Sequence, residues 1–253
     1  MSTTMSDSET EGEQSPRRRK NGLNRGPLEV FIIRISPACR SVLLYLQQNE
    51  IPYVSVDVDF SHGSEHLPAV FRSQPHQEVP LLVDGEIVVF EGPAILRYLA
   101  MRYTDYAGFG LSLQQQMSNE SIISWAFGEL HRAIGYNYIY PQFLEKYALS
   151  PENANESLIE HGLRQVSKHL EIIEKKYFKN SKDKYLTGSR LTVADTAVAA
   201  VLVLLEWTGF KFKMWPQVEA WLNRVKRQHF WDNVHTTHSE FIVQLQRASM
   251  ILD

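Results

Sequence analysis

The chain lacks three features that define whole classes of protein: paired cysteines, long apolar runs and a dominant charge. Its 253 residues contain one cysteine, which excludes an intrachain disulfide framework and argues against a cysteine-based zinc site. No stretch reaches the roughly 18 apolar residues of a membrane-spanning helix, and polar, acidic residues stand where a secretory signal needs an apolar core. We therefore expect a protein of a reducing compartment, the cytoplasm.

The charge balance is nearly neutral. A formal net charge of -3 with 43% apolar residues describes a globular protein with no overall attraction to nucleic acid or membrane. Residues 1–27 have no apolar periodicity, so we expect a disordered tail. The basic run Arg17 to Lys20 has two interpretations, a solvated charged segment, which we favour, or a nuclear address.

Residues 28–103 show dense, alternating signals for strands and helices. The predicted elements are strand 28–33, helix 37–48, strand 53–58, helix 68–72, strands 79–83 and 86–90, and helix 94–103. The first strand, helix and second strand form a βαβ unit, whose strands should be parallel. The turn Asp84-Gly85 between two apolar runs predicts a hairpin. The predicted order is βαβαββα.

Residues 113–253 show only helical patterns, after a connector at 104–112. The predicted helices cover 113–147 as one or two helices, then 150–178, 196–207, 216–227 and 230–251. The fold class is thus α/β followed by an all-helical domain. The five tryptophans fall on apolar helical faces, where core packing explains them.

The turn after the first strand carries Ser36-Pro37 at the start of a helix. Serine suits the N-cap and proline the first helical position. The same place holds unpaired backbone N–H groups at the positive end of the helix dipole, where a thiolate or carboxylate would be stabilised. From these residues alone Ser36 is either an ordinary cap or part of an anion site.

Cys39 stands three residues after Ser36, which is the redox Cys-x-x-Cys spacing with its first cysteine replaced. Without that first thiol, dithiol exchange is lost. Because Cys39 lies one turn into an apolar helix, we predict a buried, inert thiol.

Four landmarks together resemble the serine-type glutathione transferases, most nearly the theta class and more distantly the delta class. They are Ser36-Pro37-Ala38-Cys39-Arg40, Val79-Pro80, Glu91-Gly92-Pro93-Ala94-Ile95-Leu96-Arg97-Tyr98-Leu99 and Leu191-Thr192-Val193-Ala194-Asp195. The resemblance covers residues 28 to about 247. It implies a thioredoxin-like domain over residues 28–103 that binds glutathione, and a helical domain over 113–253 that contributes most of the electrophile pocket.

The resemblance also implies roles for individual residues. Ser36 would donate a hydrogen bond to the glutathione sulfur, whose thiolate attacks the electrophile. Val79, before a cis Pro80, would bind the peptide backbone of glutathione, and Glu91 and Gly92 would hold its γ-glutamyl end. His66 would meet the glycyl end, or is a solvated loop histidine. Glutathione is then a cosubstrate, with no permanent cofactor and no metal.

Two positions depart from the family pattern. Gly92 stands where the family has a serine, which removes one hydrogen bond to a charged group, about 1.5 to 3 kcal/mol at most. Glu78 stands where theta enzymes usually have a lysine, and it would repel an anionic tripeptide unless it points to solvent.

The sequence is thus compatible with two functions. One is an enzyme that conjugates glutathione to small electrophiles, with peroxidase activity as a further option, and the other is a non-catalytic binding module on the same fold.

Thr192 and Asp195 have structural roles in this interpretation, as a capping box for a helix of the second domain. Replacing either is expected to cost roughly 0.5 to 2 kcal/mol of stability. The resemblance implies a homodimer, in which Glu120 would reach the partner's cosubstrate. His131 and Arg132 are explained more simply by an exposed helix face than by the pocket.

Overall fold

The computed structural model describes residues 26–60, 66–149, 153–179 and 183–252. The predicted tail therefore lies almost wholly outside the described residues, as do the loop 61–65 and the predicted helix start at residue 150. In the described part of the chain, no helix is long and apolar enough to cross a membrane.

The first half contains a four-stranded mixed sheet with the order β2-β1-β3-β4. Its strands are β1 (Glu29–Ile32), β2 (Val54–Asp57), β3 (Leu81–Asp84) and β4 (Ile87–Phe90). The β1 and β2 strands are parallel, as the βαβ unit predicts, while β3 pairs antiparallel with β1 and with β4. The predicted hairpin is present, but its two-residue turn is Gly85-Glu86 rather than Asp84-Gly85, because Asp84 still pairs with Ile87. Gly85 has the positive φ of 65° that favours glycine.

The helices of the first half follow the predicted order βαβαββα. They are α1 (Pro37–Gln48), α2 (Ala69–Arg72) and α3 (Gly92–Leu99), which continues as a π-helical turn over Ala100–Thr104. The helix predicted over 94–103 begins two residues earlier, because Gly92 takes the first helical position and Pro93 the second. This thioredoxin-like arrangement brings the starts of α1 and α3 to one side of the sheet.

The second half is helical. Its elements are α4 (Leu113–Trp125), π-helical turns over Ala126–Leu130 and Arg132–Ile139, α5 (Tyr140–Phe143), α6 (Asn153–Ile172), α7 (Val193–Leu202), α8 (Pro216–Lys226) and α9 (Trp231–Leu252). In the described part of the second half, the only β pairing is an isolated bridge between Tyr185 and Gly188. The predicted limits of the two domains stay a prediction.

The α1 helix is the element that joins the two halves. It packs against α3 in its own half and against α7 and α9 in the helical half. Arg40 on α1 is fully buried, and its Nη2 donates to the carbonyl of Ala200 on α7 at 3.0 Å. This packing fixes the position of the Ser36 turn relative to the helical half.

Asp195 links three segments of the helical half. The predicted capping box is present, because Asp195 Oδ2 accepts from the N–H of Thr192 at 2.8 Å. Its Oδ1 accepts from the N–H of Leu186 and from Nε1 of Trp221, each at 2.8 Å. The structure therefore gives Asp195 more than a helix cap, and its loss should cost more than the cap alone.

The tryptophans are mostly core residues, as predicted. Four of them, Trp207, Trp215, Trp221 and Trp231, are buried. The fifth, Trp125, is half-buried and stacks on Tyr177 with the ring centroids 6.4 Å apart.

Candidate functional site

Ser36 caps the first turn of α1 at the end of the sheet. Its Oγ accepts from the N–H of Cys39 at 3.4 Å, and its own N–H donates to the carbonyl of Ile33 at 3.0 Å. The side chain is half-buried, so it is held in place but reachable. A hydroxyl that accepts one bond still has its proton to donate. Ser36 can therefore donate to an anion lying at this helix start.

Cys39 is fully buried behind Ser36 and accepts a bond at Sγ from the N–H of Ile33 at 3.5 Å. Burial raises the pKa of this thiol to about 11, against which the nearby hydrogen bonds and the charge of Arg40 act only in part. The thiol is thus protonated at neutral pH. The prediction that Cys39 is buried is confirmed, and its inertness stays a prediction.

The start of α3 lies directly against the first turn of α1. A Cβ placed on Gly92 would be 3.4 Å from the Cβ of Ala38, which is an ordinary contact distance. Glu91, just before α3, is exposed and has a positive φ of 68°, which is unusual for a residue with a side chain and clusters at functional sites. Two helix N-termini, each favouring negative charge, therefore meet beside Ser36.

Val79 and Pro80 form the third part of the site. Their peptide bond is cis, as the resemblance implies. Pairing of β3 with its neighbours begins at Leu81, so the backbone of Val79 lies outside the ladder. A shallow depression brings this segment to Glu91, and it is lined by Gln74, His76, Gln77, Glu78, Val79, Pro80, Leu81, Phe90 and Glu91.

His66 is placed differently from the other predicted glutathione residues. It is exposed and lines another depression, with Asp57, Asp59, Leu67 and Pro68, rather than the one that holds Val79 and Glu91. Its neighbours at 61–65 lie outside the described residues. The role of His66 stays a prediction.

Three tyrosines of the helical half pack together, and no sequence pattern predicted this group. The tyrosine group consists of Tyr136, Tyr140 and Tyr147, whose ring centroids are 5.1 to 5.5 Å apart. Burial raises the pKa of Tyr136, and electrostatic interaction with Tyr147, Glu78 and Glu91 adds to that rise. The signal in the sequence was the helical spacing of Tyr136 and Tyr140, four residues apart.

His131 contacts the tyrosine group through the hydroxyl of Tyr140. Its Nε2 is 2.8 Å from the hydroxyl of Tyr140, and burial and the charge of Arg40 lower its pKa to about 4. His131 is therefore neutral at pH 7. Arg132 is exposed, so it lies on an exposed helix face as predicted. His131 is not exposed, so the same prediction is wrong for His131.

Among the described residues, no group of histidine, cysteine or acidic side chains is placed to hold a metal.

Both halves of the chain match models of known protein families. The model of the glutathione S-transferase N-terminal domain matches residues 26–101, and that of the glutathione S-transferase C-terminal domain matches residues 139–229. Glutathione S-transferase theta-1 of Bos taurus is 29% identical over 206 residues, which cover 79% of this chain and 82% of the relative. The Homo sapiens theta-1 enzyme is 28% identical, with coverage of 79% and 82%.

Solved structures of glutathione transferases have a similar fold. Human glutathione S-transferase T1-1 in its apo form superposes with a TM-score of 0.71 at 25% identity, covering 87% of this chain and 91% of that one. A delta-class glutathione transferase of Nilaparvata lugens superposes with a TM-score of 0.74 at 21% identity, covering 88% and 99%. The second likeness concerns the fold alone.

Proposed function

Because the chain belongs to the glutathione S-transferase family, it is an enzyme that transfers the thiolate of glutathione to a small electrophile, and we propose that Ser36 stabilises this thiolate. The observation that carries the proposal is the contact between the starts of α1 and α3, at Ala38 and Gly92. This contact makes one anion-binding corner from two helix N-termini, with the Ser36 hydroxyl beside it.

The three parts of the site fit the three parts of the cosubstrate. The γ-glutamyl carboxylate would bind the N–H of Gly92 at the start of α3, and the γ-glutamyl ammonium would pair with Glu91. The free backbone N–H and C=O of Val79 would bind the glutathione peptide. Its sulfur would then lie at Ser36, which donates the O–H to it.

The chemistry needs no nucleophile from the protein. A hydrogen bond from Ser36 to the sulfur favours the thiolate over the thiol, and the positive end of α1 adds to this preference. The thiol proton leaves to solvent, and the thiolate attacks the electrophilic carbon. A carbon–sulfur bond forms as the bond to the leaving group breaks, and the leaving group takes the electron pair.

The two departures from the family pattern, Glu78 and Gly92, leave the proposed glutathione site able to bind glutathione. The Glu78 side chain is exposed, so water and salt screen its repulsion of glutathione. Gly92 keeps its N–H at the helix start. The non-catalytic alternative is set aside because the chain belongs to a family of enzymes. Peroxidase activity would use the same thiolate, and it stays a prediction.

Restoring a hydroxyl at position 92 should strengthen glutathione binding. Since the Cβ of a Gly92→Ser side chain has room against Ala38, we expect the new hydroxyl to bond the γ-glutamyl carboxylate. The gain should be about 1.5 kcal/mol, or roughly tenfold in Kd. Calorimetric titration with glutathione measures it, together with retention of both proteins on immobilised glutathione.

Gly92→Ala is the matched control, since it adds the Cβ without the hydroxyl. We expect its Kd to stay within about twofold of the wild type. A Gly92→Ser protein that binds no better than Gly92→Ala would contradict the placement of the γ-glutamyl end. A wild-type protein with neither retention nor turnover would contradict the proposed function as a whole.

We also propose that the enzyme is a homodimer. Arg97 on α3 forms an ion pair with Glu120 on α4, and the reach of Glu120 to a partner's cosubstrate stays a prediction. About one helical turn along the chain from Arg97 and from Glu120, the apolar side chains of Met101 and Met117 are 58% and 43% exposed. Such side chains favour an interface between two copies.

Sedimentation equilibrium tests the dimer. We expect twice the chain mass of 29.2 kDa, and a shift toward the monomer when Met117→Lys places a charge in the proposed interface. Lys168→Met, elsewhere on the surface, should leave the mass unchanged. A monomer at micromolar concentration would contradict the proposal.

We place the enzyme in the cytoplasm, where glutathione keeps thiols reduced, which suits a free cysteine. A role in the detoxification of electrophiles follows from the same reaction. The basic run at residues 17–20, the basis for a nuclear address, lies outside the described residues.

A further inference from the structure

We infer that Arg40 is a positioning residue for the transfer reaction, because its buried positive charge lies one helical turn behind Ser36 and stabilises the thiolate of bound glutathione from inside the protein. This role rests on the proposed function and adds a second residue to the stabilisation of that thiolate. Since Arg40 is fully buried, it acts through its electric field rather than by contact with glutathione.

Arg40 lies on the same face of α1 as Ser36. Its backbone N–H donates to the carbonyl of Ser36 at 3.0 Å, so the two residues are one helical turn apart. Helical side chains lean toward the N-terminus of their helix, which places the Arg40 side chain back over the turn that begins at Ser36. These dimensions put the guanidinium within about 12 Å of the Ser36 hydroxyl.

The charge of Arg40 has no counterion in the described part of the chain. The side chain forms no ion pair with any described carboxylate. Its Nη2 donates to the carbonyl of Ala200 at 3.0 Å, while Nε and Nη1 have no hydrogen-bond partner among the described residues. Burying an unpaired cation costs stability, and a neutral donor would serve the carbonyl of Ala200 equally well. The fold alone therefore does not explain why this residue is charged.

Arg40 stays charged at the pH where the enzyme works, and the groups that face it do not. Burial lowers the pKa of Arg40 to about 10, which is still above neutrality. Burial also lowers the pKa of the neighbouring histidines to about 4 or about 2, and it raises the pKa of the neighbouring thiol and phenol above the neutral range. These groups, uncharged between pH 6 and 9, are His131, His235, His238, Cys39 and Tyr140.

The other charges near Arg40 are paired with each other. Glu206, in the 3-10 turn Val203–Thr208 after α7, raises the pKa of Arg40 through its charge. Its Oε1 lies 2.8 Å from Nζ of Lys226 on α8, with which it forms an ion pair. Between pH 6 and 9, the thiol of bound glutathione is thus the group whose titration reports the field of Arg40.

The thiol pKa of bound glutathione, titrated by ultraviolet absorbance, measures this field. A unit charge about 12 Å away inside a protein shifts a pKa by roughly 0.5 to 1 unit. Arg40→Met and Arg40→Gln remove the charge, so we expect each to raise the thiol pKa by that amount. Arg40→Lys keeps the charge and should keep a thiol pKa close to that of the wild type. Arg164→Met, which removes an exposed arginine of α6, is the control and should leave the thiol pKa unchanged.

The pH profile of kcat/KM for the electrophile, at saturating glutathione, separates this role from a structural one. Below the thiol pKa, the uncharged variants should be about 3- to 10-fold slower than the wild type, because less of the bound glutathione is thiolate. At higher pH the rates should converge. A structural defect would lower the rate at every pH, and urea unfolding curves show which variants are folded.

An uncharged variant that folds and keeps the wild-type thiol pKa would overturn the inference, as would a loss of rate that is equal at every pH. If Arg40→Lys folds and neither uncharged variant does, the charge serves the fold and the inference is wrong as well. These results leave the proposed function standing as long as the wild-type thiol pKa lies well below the value of about 8.5 for a free thiol. A wild-type thiol pKa equal to that of free glutathione would overturn both.

Discussion

Replacing Ser36 with alanine should lower kcat/KM for conjugation by about 100-fold, the usual effect of removing one hydrogen-bond donor from a developing or stabilised anion. The hydroxyl of Ser36 sits at the corner where the starts of α1 and α3 meet, and it still has a proton to donate. Without that donor, the sulfur of bound glutathione is protonated over more of the pH range, so less of it is nucleophilic. Initial rates with a neutral benzyl chloride, at saturating glutathione, measure the loss.

Two variants separate this chemistry from the helix cap. Ser36→Ala also removes the cap of α1, which costs about 1 kcal/mol of stability, so folding of the variant is checked by its unfolding curve. Ser36→Thr keeps both hydroxyl and cap, and most of the activity should survive. Ser167→Ala, on the exposed face of α6, is the control for an unrelated serine. A Ser36→Ala enzyme with the kcat/KM of the wild type would refute the role assigned to Ser36.

Replacing Asp195 with alanine should destabilise the protein by about 4 kcal/mol. The substitution removes the acceptor of four donors: the N–H groups of Leu186 and Thr192, the hydroxyl of Thr192 and the Nε1 of Trp221. An unsatisfied buried donor costs about 1 to 3 kcal/mol. The midpoint and slope of urea unfolding measure the free energy of unfolding.

Two controls bound the Asp195 result. Thr192→Ala removes only the capping side chain, at a cost of about 1 kcal/mol. Asp232→Ala, an exposed acid in the first turn of α9, should change stability by less than about 0.5 kcal/mol. If Asp195→Ala costs no more than Thr192→Ala, the links to Leu186 and Trp221 contribute nothing and the account of this residue is wrong.

The parts of the fold that the sequence predicts are those with local causes. Ser36-Pro37 begins α1 where the cap preferences place it. Gly85 turns the hairpin, one residue later than predicted, because glycine tolerates a positive φ. The capping box of Thr192 and Asp195 is formed by residues three apart. In each case the residues that determine the structure are neighbours along the chain.

The parts that escaped prediction depend on contacts between distant segments. Arg40 bonds to Ala200, 160 residues away, and Trp221 donates to Asp195 from 26 residues away. The tyrosine group also depends on folding beyond one helix, because Tyr147 follows the end of α5 at Phe143 and packs back on Tyr136 and Tyr140. Helical spacing put Tyr136 and Tyr140 on one face, but it could not say what that face meets.

The thiol pKa of bound glutathione tests the central claim most directly. Ultraviolet absorbance of the thiolate, titrated against pH at saturating glutathione, gives this pKa for the wild type and for Ser36→Ala. The account predicts a pKa well below the value of about 8.5 for a free thiol in the wild type, and a return toward that value in the variant. Equal pKa values in the two proteins would contradict it.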